Sequence, residues 1–333
     1  MRPKWIVLSL ALLLGPPLLM ALDKPTPPPR RSQAVVRLEG PIYNPKINST
    51  GKLLAFTDSA GRSLRILDLS NHEVIEVSPH RIGPAFFWSP DGVRLFYREL
   101  VKQGKAIESL LQAYDSHLNK ASLLETLEGS SGYLTYAPYQ QTAYLLHEKG
   151  ILAKHLDFPG LRPAHWQKKK QNYEGQWIAT QQSILWLTDL GLTLKKMDDD
   201  GSGVASFSVS PDGHAIAWAT TKGQIYASVA ENLVPLLIDQ GRDPSWHPYR
   251  TLLAYAGARR VGNRTYDYDL KVSDLHAPPR YLQTTPDRSE RWPIWISPDV
   301  ILHTAGDSTD LLKLSLQPPA PIAKIEVAPG TKQ

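Results

Sequence analysis

Short apolar runs recur along this chain, and in many of them both alternating sets of positions are hydrophobic. In 53–56, Leu53 and Ala55 alternate with Leu54 and Phe56, and in 215–218, Ile216 and Trp218 alternate with Ala215 and Ala217. Successive side chains of a strand point to opposite faces, so a run apolar on both sets predicts a strand covered on both sides. Two such runs follow the same turn signal, Trp88-Ser89-Pro90-Asp91-Gly92 and Val209-Ser210-Pro211-Asp212-Gly213. Proline presets φ at the second position of a type I turn, aspartate suits the third and glycine the fourth, so each signal predicts an antiparallel hairpin. Ile296-Ser297-Pro298-Asp299 and the weaker Trp246-His247-Pro248-Tyr249-Arg250 are further copies. Three degenerate ones share the alternation, at 47–56 around Gly51, 137–145 around Gln140 and 173–180 around Gly175.

Taking Gly51, Gly92, Gln140, Gly175, Gly213, Arg250 and Val300 as equivalent, the spacings are 41, 48, 35, 38, 37 and 50 residues. A four-stranded propeller blade takes about 40–50 residues. The expectation is therefore an all-β fold, a β-propeller of four-stranded antiparallel blades spanning 33–328, with a short tail at 329–333. Seven anchors predict seven blades, and six if the copy at Gly175 only extends its neighbour. Runs at 311–316 and 322–327 supply outer strands for the last blade. A strand at 33–38 is expected to pair there too, which removes an open sheet edge.

The Trp-Ser-Pro-Asp-Gly hairpin followed by Leu95-Phe96-Tyr97, or by Ile216-Ala217-Trp218 in the second copy, resembles the repeat of TolB-like propellers, also called PD40 repeats. Two copies also carry the proline two residues before tryptophan that the family favours, Pro244 before Trp246 and Pro293 before Trp295, although Trp295 lies one residue out of register. The resemblance covers residues 41–316 and keeps Ser-Pro-Asp-Gly intact in two copies. It implies a secreted or periplasmic binding scaffold, here a propeller-only relative without the α/β domain that precedes the propeller in TolB.

The N-terminus points the same way. Arg2 and Lys4 precede an apolar run at 5–14, then Gly15-Pro16-Pro17 and a second apolar stretch ending at Leu22. This is the pattern of a secretory signal over 1–22, cleaved after Ala21; the 18-residue apolar stretch also leaves retention as a membrane anchor open. Residues 23–32, with four prolines, read as a stiff spacer. With 42% hydrophobic and 21% charged residues the chain is globular, and with no cysteine it has no disulfide, thiolate metal site or thiol nucleophile. Removing Arg2 and Lys4 lowers the net charge from +5 to +3, too little to indicate nucleic acid.

Loops between blades, and between the second and third strands of a blade, share one rim of a propeller. The Ser-Pro-Asp-Gly turns lie on the other and are read as turn chemistry. On the first rim the candidate ligand-binding residues are Arg81, Arg242, Arg259, Arg260, Arg264, Tyr266, Tyr268 and Arg291. Two insertions, 98–105 and 258–268, are longer than a hairpin requires, and long loops on rigid scaffolds carry function. Guanidinium groups beside tyrosines suit a carboxylate-bearing partner. Asp198 and Asp200 are weak metal candidates, since a calcium loop needs a glutamate where the chain has Phe207. The basic run 168–170 reads as a solvated surface. No Gly-x-Ser-x-Gly elbow, His-Glu-x-x-His or phosphate loop occurs. The expected function is a monomeric, non-enzymatic scaffold in the cell envelope, binding a protein segment or polysaccharide without a cofactor. The alternative is a metal-assisted carbohydrate lyase or hydrolase using His80, His147, His165, His247 or His303 in the channel.

Overall fold

The computed structural model describes residues 32–127, 133–137, 142–147, 150–155, 176–179, 184–187, 194–196 and 202–316, apart from 83–85, 90, 105, 231, 263, 276, 284, 286, 287, 307 and 308. Among these the regular structure is strand throughout, and every pairing is antiparallel. β1 (Gln33–Arg37) stands apart in sequence from its partners. The next strands pair in order: β2 (Tyr43–Ile47), β3 (Leu53–Thr57), β4 (Arg62–Asp68) and β5 (Val74–Arg81). So do β6 (Phe86–Trp88), β7 (Arg94–Gln103), β8 (Ala106–Asp115) and β9 (Lys120–Leu127), joined to the preceding set by the single pair Arg81–Leu100. β10 (Tyr133–Ala137), β11 (Thr142–His147) and β12 (Gly150–His155) form a third sheet, and β13 (Gln176–Ala179), β14 (Ile184–Leu187) and β15 (Leu194–Lys196) a fourth. β16 (Val204–Val209), β17 (Ala215–Thr220), β18 (Gln224–Val229) and the first part of β19 (Asn232–Trp246) follow. The second part of β19 pairs instead with β20 (Leu253–Val261), then β21 (Arg264–Ser273) and β22 (Arg280–Gln283). Last come β23 (Glu290–Ser297), β24 (Val300–Ala305) and β25 (Asp310–Ser315), with β1 against β25.

The first strands of successive sets lie side by side. β2 neighbours β6, β6 neighbours β10, and so on through β13, β16, β19 and β23, which in turn neighbours β2. Between these neighbours lies the core. Leu54 and Phe56 of β3 pack with Ile294 and Leu302 on one side, while Ala55 packs with Phe86, Trp88 and Tyr97 on the other. In β17, Ile216 and Trp218 meet Trp177, whereas Ala215, Ala217 and Ala219 meet Trp246 and Tyr255. The doubly apolar alternation thus has its physical reason: each sheet is sandwiched between two others.

The tryptophans of the repeat stitch neighbouring first strands together. Trp88 Nε1 donates to Lys46 O at 2.9 Å, Trp246 Nε1 to Ser208 O at 3.0 Å and Trp295 Nε1 to Ser245 O at 3.2 Å. All three indoles are buried. Trp295 reaches this position because a bulge between Trp295 and Ser297 absorbs its displacement in sequence.

The turns have the predicted chemistry. Gly92 N donates to Ser89 O at 2.8 Å and Gly213 N to Ser210 O at 2.9 Å, with φ of +74° at both glycines. The serine hydroxyl in each copy donates to the aspartate two residues on and accepts from the backbone N–H five residues on. In the degenerate copies Asn48 and His247 take the serine position and also reach the next turn, Asn48 Nδ2 to Gly92 O at 3.0 Å and His247 Nε2 to Pro298 O at 3.1 Å.

One expectation is corrected. Residues 176–179 of β13 pair with 184–187 of β14, so this hairpin reverses after Ala179 and not around Gly175. β25 pairs with β1, as expected of a strand at 33–38, while the strand expected at 322–327 lies outside the described residues.

Candidate rim site

The insertions at 98–105 and 258–268 are not irregular loops. Residues 98–103 continue β7 and pair with 106–111 of β8, while 258–261 continue β20 and pair with 264–268 of β21. Paired strands satisfy their own backbone groups, so each insertion is a stiff prong. β20 runs from the turn at 247–250 past its partner Gly241 to Val261, which pairs with Arg264 of β21. The prong therefore extends beyond the entry to the second part of β19.

That entry is built the same way in three neighbouring first strands. Asn44, Asp243 and Trp292 have φ of 48°, 55° and 52°, and each precedes a proline, Pro45, Pro244 or Pro293. The register shifts at each, between Tyr43 and Lys46, Arg242 and Ser245, and Arg291 and Ile294. A non-glycine residue in the left-handed region costs roughly 1–3 kcal/mol and persists only where surrounding structure enforces it. Bulges of this kind redirect the flanking side chains. Here the redirected residues are Tyr43, Arg242 and Arg291, with Asp243 and Trp292 beside them.

These side chains contact one another across the sheets. Arg291 Nε donates to Asp243 Oδ2 at 2.6 Å, and the Arg291 guanidinium lies 5.1 Å from the Tyr268 ring centroid and 5.6 Å from that of Trp292. Arg242 approaches the same Tyr268 ring at 5.8 Å. Trp292 meets Tyr43 edge-on at 5.9 Å. Asp243 is buried and also accepts the backbone N–H of Trp292. Burial opposes the Arg291 charge, but Asp243, by charge and hydrogen bond, holds its pKa above the ordinary arginine value. Arg242 makes no ion pair among the described residues, and its Nε is buried without an acceptor, as is Trp292 Nε1.

Arg259 is committed differently. It bridges Asp267 Oδ2 at 3.2 Å and Asp269 Oδ2 at 3.3 Å, and its guanidinium lies 5.5 Å from the Tyr266 ring centroid. The Asp267–Asp269 cluster continues to Glu290, whose Oε1 accepts from Thr285 Oγ1 while Oε2 has no hydrogen-bond partner. Burial raises the Asp269 pKa, and burial assisted by Asp269 and Asp267 raises that of Glu290 to about 7. Nearby, Lys271 Nζ and Tyr255 OH both reach Asp239 Oδ2, at 2.9 and 2.8 Å. The stem of Lys271 crosses Gly257, where a Cβ would come within 2.5 Å of it.

Of the residues singled out in sequence, Arg242, Tyr268 and Arg291 share one cluster, and Arg259 and Tyr266 adjoin it on the prong. Arg260 donates to Gln240 Oε1 at 3.3 Å, and Arg264 and Tyr266 are exposed near the tip. Arg81 lies elsewhere, at the end of β5 in backbone register with Arg62 and Leu100. Sequence reasoning placed Asp243 beside Arg242 on this rim but passed over Tyr43 and Trp292 as site residues. The shared pattern of a residue ahead of proline at each strand entry was the signal available.

The histidines of the described residues do not gather into one group. His303 is fully buried in β24, bonded to Ser32 Oγ at 2.7 Å, and burial lowers its pKa to about 4. His247 belongs to a turn, and burial lowers its pKa as well. His80 is half-exposed, 4.0 Å from Glu99. Asp198, Asp200, His165 and the side chain of His147 lie outside the described residues. Among the described residues no group of three or more histidines, aspartates or glutamates is placed to hold a metal ion. Lys46, whose ammonium pKa is lowered to about 8 by burial, was not apparent from the sequence.

No family model matches the chain, and no curated protein matches it. Among solved structures it is similar to the β-propeller domain of Myceliophteria thermophila Cps50 (Swd1), with a TM-score of 0.54 and 11% identity over 87% of this chain and 100% of that one. It is also similar to an oligogalacturonate lyase in complex with manganese, with a TM-score of 0.46 and 14% identity over 83% of this chain and 77% of that one. Together with the antiparallel sheets, the first likeness makes the fold a β-propeller.

Proposed function

We propose that this chain is an exported, seven-bladed propeller of the TolB-like type that binds a protein segment or polysaccharide of the cell envelope at its rim, without chemistry. The observation that carries the reading is the Arg242, Tyr268, Arg291, Trp292 and Tyr43 cluster, held by three strained strand entries beside a stiff basic prong. Strain retained at three equivalent positions is what a preorganised binding surface requires. The circuit of neighbouring first strands, which returns from β23 to β2, supports the count of seven blades. The TolB-like assignment rests on the Ser-Pro-Asp-Gly turns and on the three tryptophan stitches. Export to the periplasm or outside the cell rests on the signal-like segment at 1–22. If that segment is retained as an anchor, the body attaches through the end of β1 that lies beside the Ser-Pro-Asp-Gly rim, and the prongs face away from the membrane.

The test is affinity capture from an envelope extract with the wild-type chain, an R242A/Y268A rim variant and an R260A/R264A prong variant. Arg259 and Arg291 stay intact because their carboxylate partners need them. Loss of the captured species in the rim variant is the expected result. The same species captured equally by all three proteins would overturn the rim assignment.

A further inference from the structure

Arg242 and Trp292 leave two hydrogen-bond donors without acceptors. The neighbouring charges are already matched: Arg291 with Asp243, Arg259 with Asp267 and Asp269, and Lys271 with Asp239. Among the described residues Arg242 is the cation left over in this cluster, and its Nε and the Trp292 indole N–H are both hidden from solvent and without an acceptor there. Buried donors in native structures nearly always find a partner, so two orphans bordering one arginine–aromatic cluster call for an acceptor that the described residues do not supply. A carboxylate supplies two oxygens and the missing negative charge. The ring faces argue against a sugar as its bearer. Both guanidinium groups approach Tyr268, Arg291 also approaches the Trp292 ring, and Tyr43 meets Trp292 edge-on, so the rings of this cluster are engaged by its own cations and by one another instead of being set out as a platform for a pyranose.

We propose that Arg242 and the Trp292 indole N–H form a carboxylate receptor at the propeller rim, and that its ligand is a protein segment presenting an aspartate or glutamate side chain. This deepens the rim-binding reading and rests on it. The exposed prong carries Arg260 and Arg264 alongside Val261 and Tyr266, a surface suited to the residues flanking such an acidic anchor.

The probe is end-blocked hexaglutamate, titrated calorimetrically against the full chain, with hexaglutamine and an oligouronate as comparison ligands. Hexaglutamate should bind and hexaglutamine should not. R242M, which keeps an apolar stem, should weaken binding by ~10–100-fold, the size expected for charge-assisted hydrogen bonds. W292F keeps the ring and removes only the N–H; it should weaken binding by ~10-fold. R264A should change it by less than about twofold, because exposed charges contribute little. Melting temperatures of the variants identify any that fail to fold, and W292F, unchanged in charge, is the decisive member.

Equal losses in R264A and R242M would reduce the effect to general electrostatics and overturn the receptor. Unchanged binding in W292F would also overturn it. Tighter, Arg242-dependent binding of the oligouronate would overturn the protein ligand. Should hexaglutamate fail to bind while extract capture still depends on Arg242 and Tyr268, the carboxylate receptor falls and the rim reading stands. Should neither depend on them, both fall.

Discussion

Replacing Glu290 by glutamine should change how stability depends on pH, in a direction that follows from its surroundings. Glu290 opens β23, is 1% exposed, and faces Asp267 and Asp269 of β21, with Thr285 donating to its Oε1. Its pKa rises from the ordinary 4.5 to about 7, mainly through burial. Between those values the folded protein keeps a proton that the unfolded chain has lost, so this group makes stability fall as pH rises. The gap amounts to ~3 kcal/mol at 1.36 kcal/mol per pH unit, with no further change below 4.5 or above about 7. His303 has the opposite slope. Its pKa falls from 6.5 to about 4, so its contribution is complete above 6.5 and is lost as pH drops to about 4. The two slopes largely cancel in the wild type over their common range. Glutamine resembles protonated glutamate in shape and still accepts from Thr285, so E290Q should match the wild type near pH 4.5 and gain on it steadily toward pH 7. The assay is urea unfolding of both proteins at half-unit steps from pH 4 to 8, comparing free energies at each step. Other titrating groups drop out of that difference. A difference independent of pH, or one that shrinks as pH rises, would refute the reasoning.

Three further outcomes are expected. W246F removes the buried indole bond to Ser208 O, which should cost ~1–2 kcal/mol in urea unfolding and leave the spectrum of the folded protein all-β. G241A places a Cβ within 2.3 Å of Ala256 O, where β19 passes from one sheet to the next, and should cost ~3 kcal/mol or prevent folding. G213A meets nothing within 4 Å and should cost only the ~1–2 kcal/mol of a left-handed alanine, so thermal melts should rank the two glycine variants in that order. R259A strips the cation from Asp267 and Asp269, so its melting temperature should fall, and fall less under acid conditions that protonate Asp269; an equal loss at all pH values would count against the ion-pair role.

Much of the fold is local chemistry and was therefore legible along the chain. Ser89, Asp91 and Gly92 close their turn with bonds spanning two to five residues, and the alternation in 53–56 records burial on both faces whatever the neighbours are. Where the turn chemistry is absent, as around Gly175, the hairpin was misplaced, because alternation alone does not mark where a strand reverses. The long hairpins illustrate a similar limit. Residues 98–105 and 258–268 are polar enough to read as loops, yet cross-strand pairing runs along most of their described length.

The candidate site depended on contacts between residues far apart in sequence. By itself the sequence determined which positions carry arginine and tyrosine, and that Arg242, Tyr268 and Arg291 belong near one rim. Only the tertiary structure decided which of those charges are already matched. Arg291 is neutralised by Asp243, 48 residues away, and Arg259 by aspartates across its own hairpin, whereas Arg242 is left with an unpartnered Nε. Ion pairing falls off over a few ångströms, and distances between strands are set by how the sheets pack, so no linear pattern encodes which cation remains for a ligand.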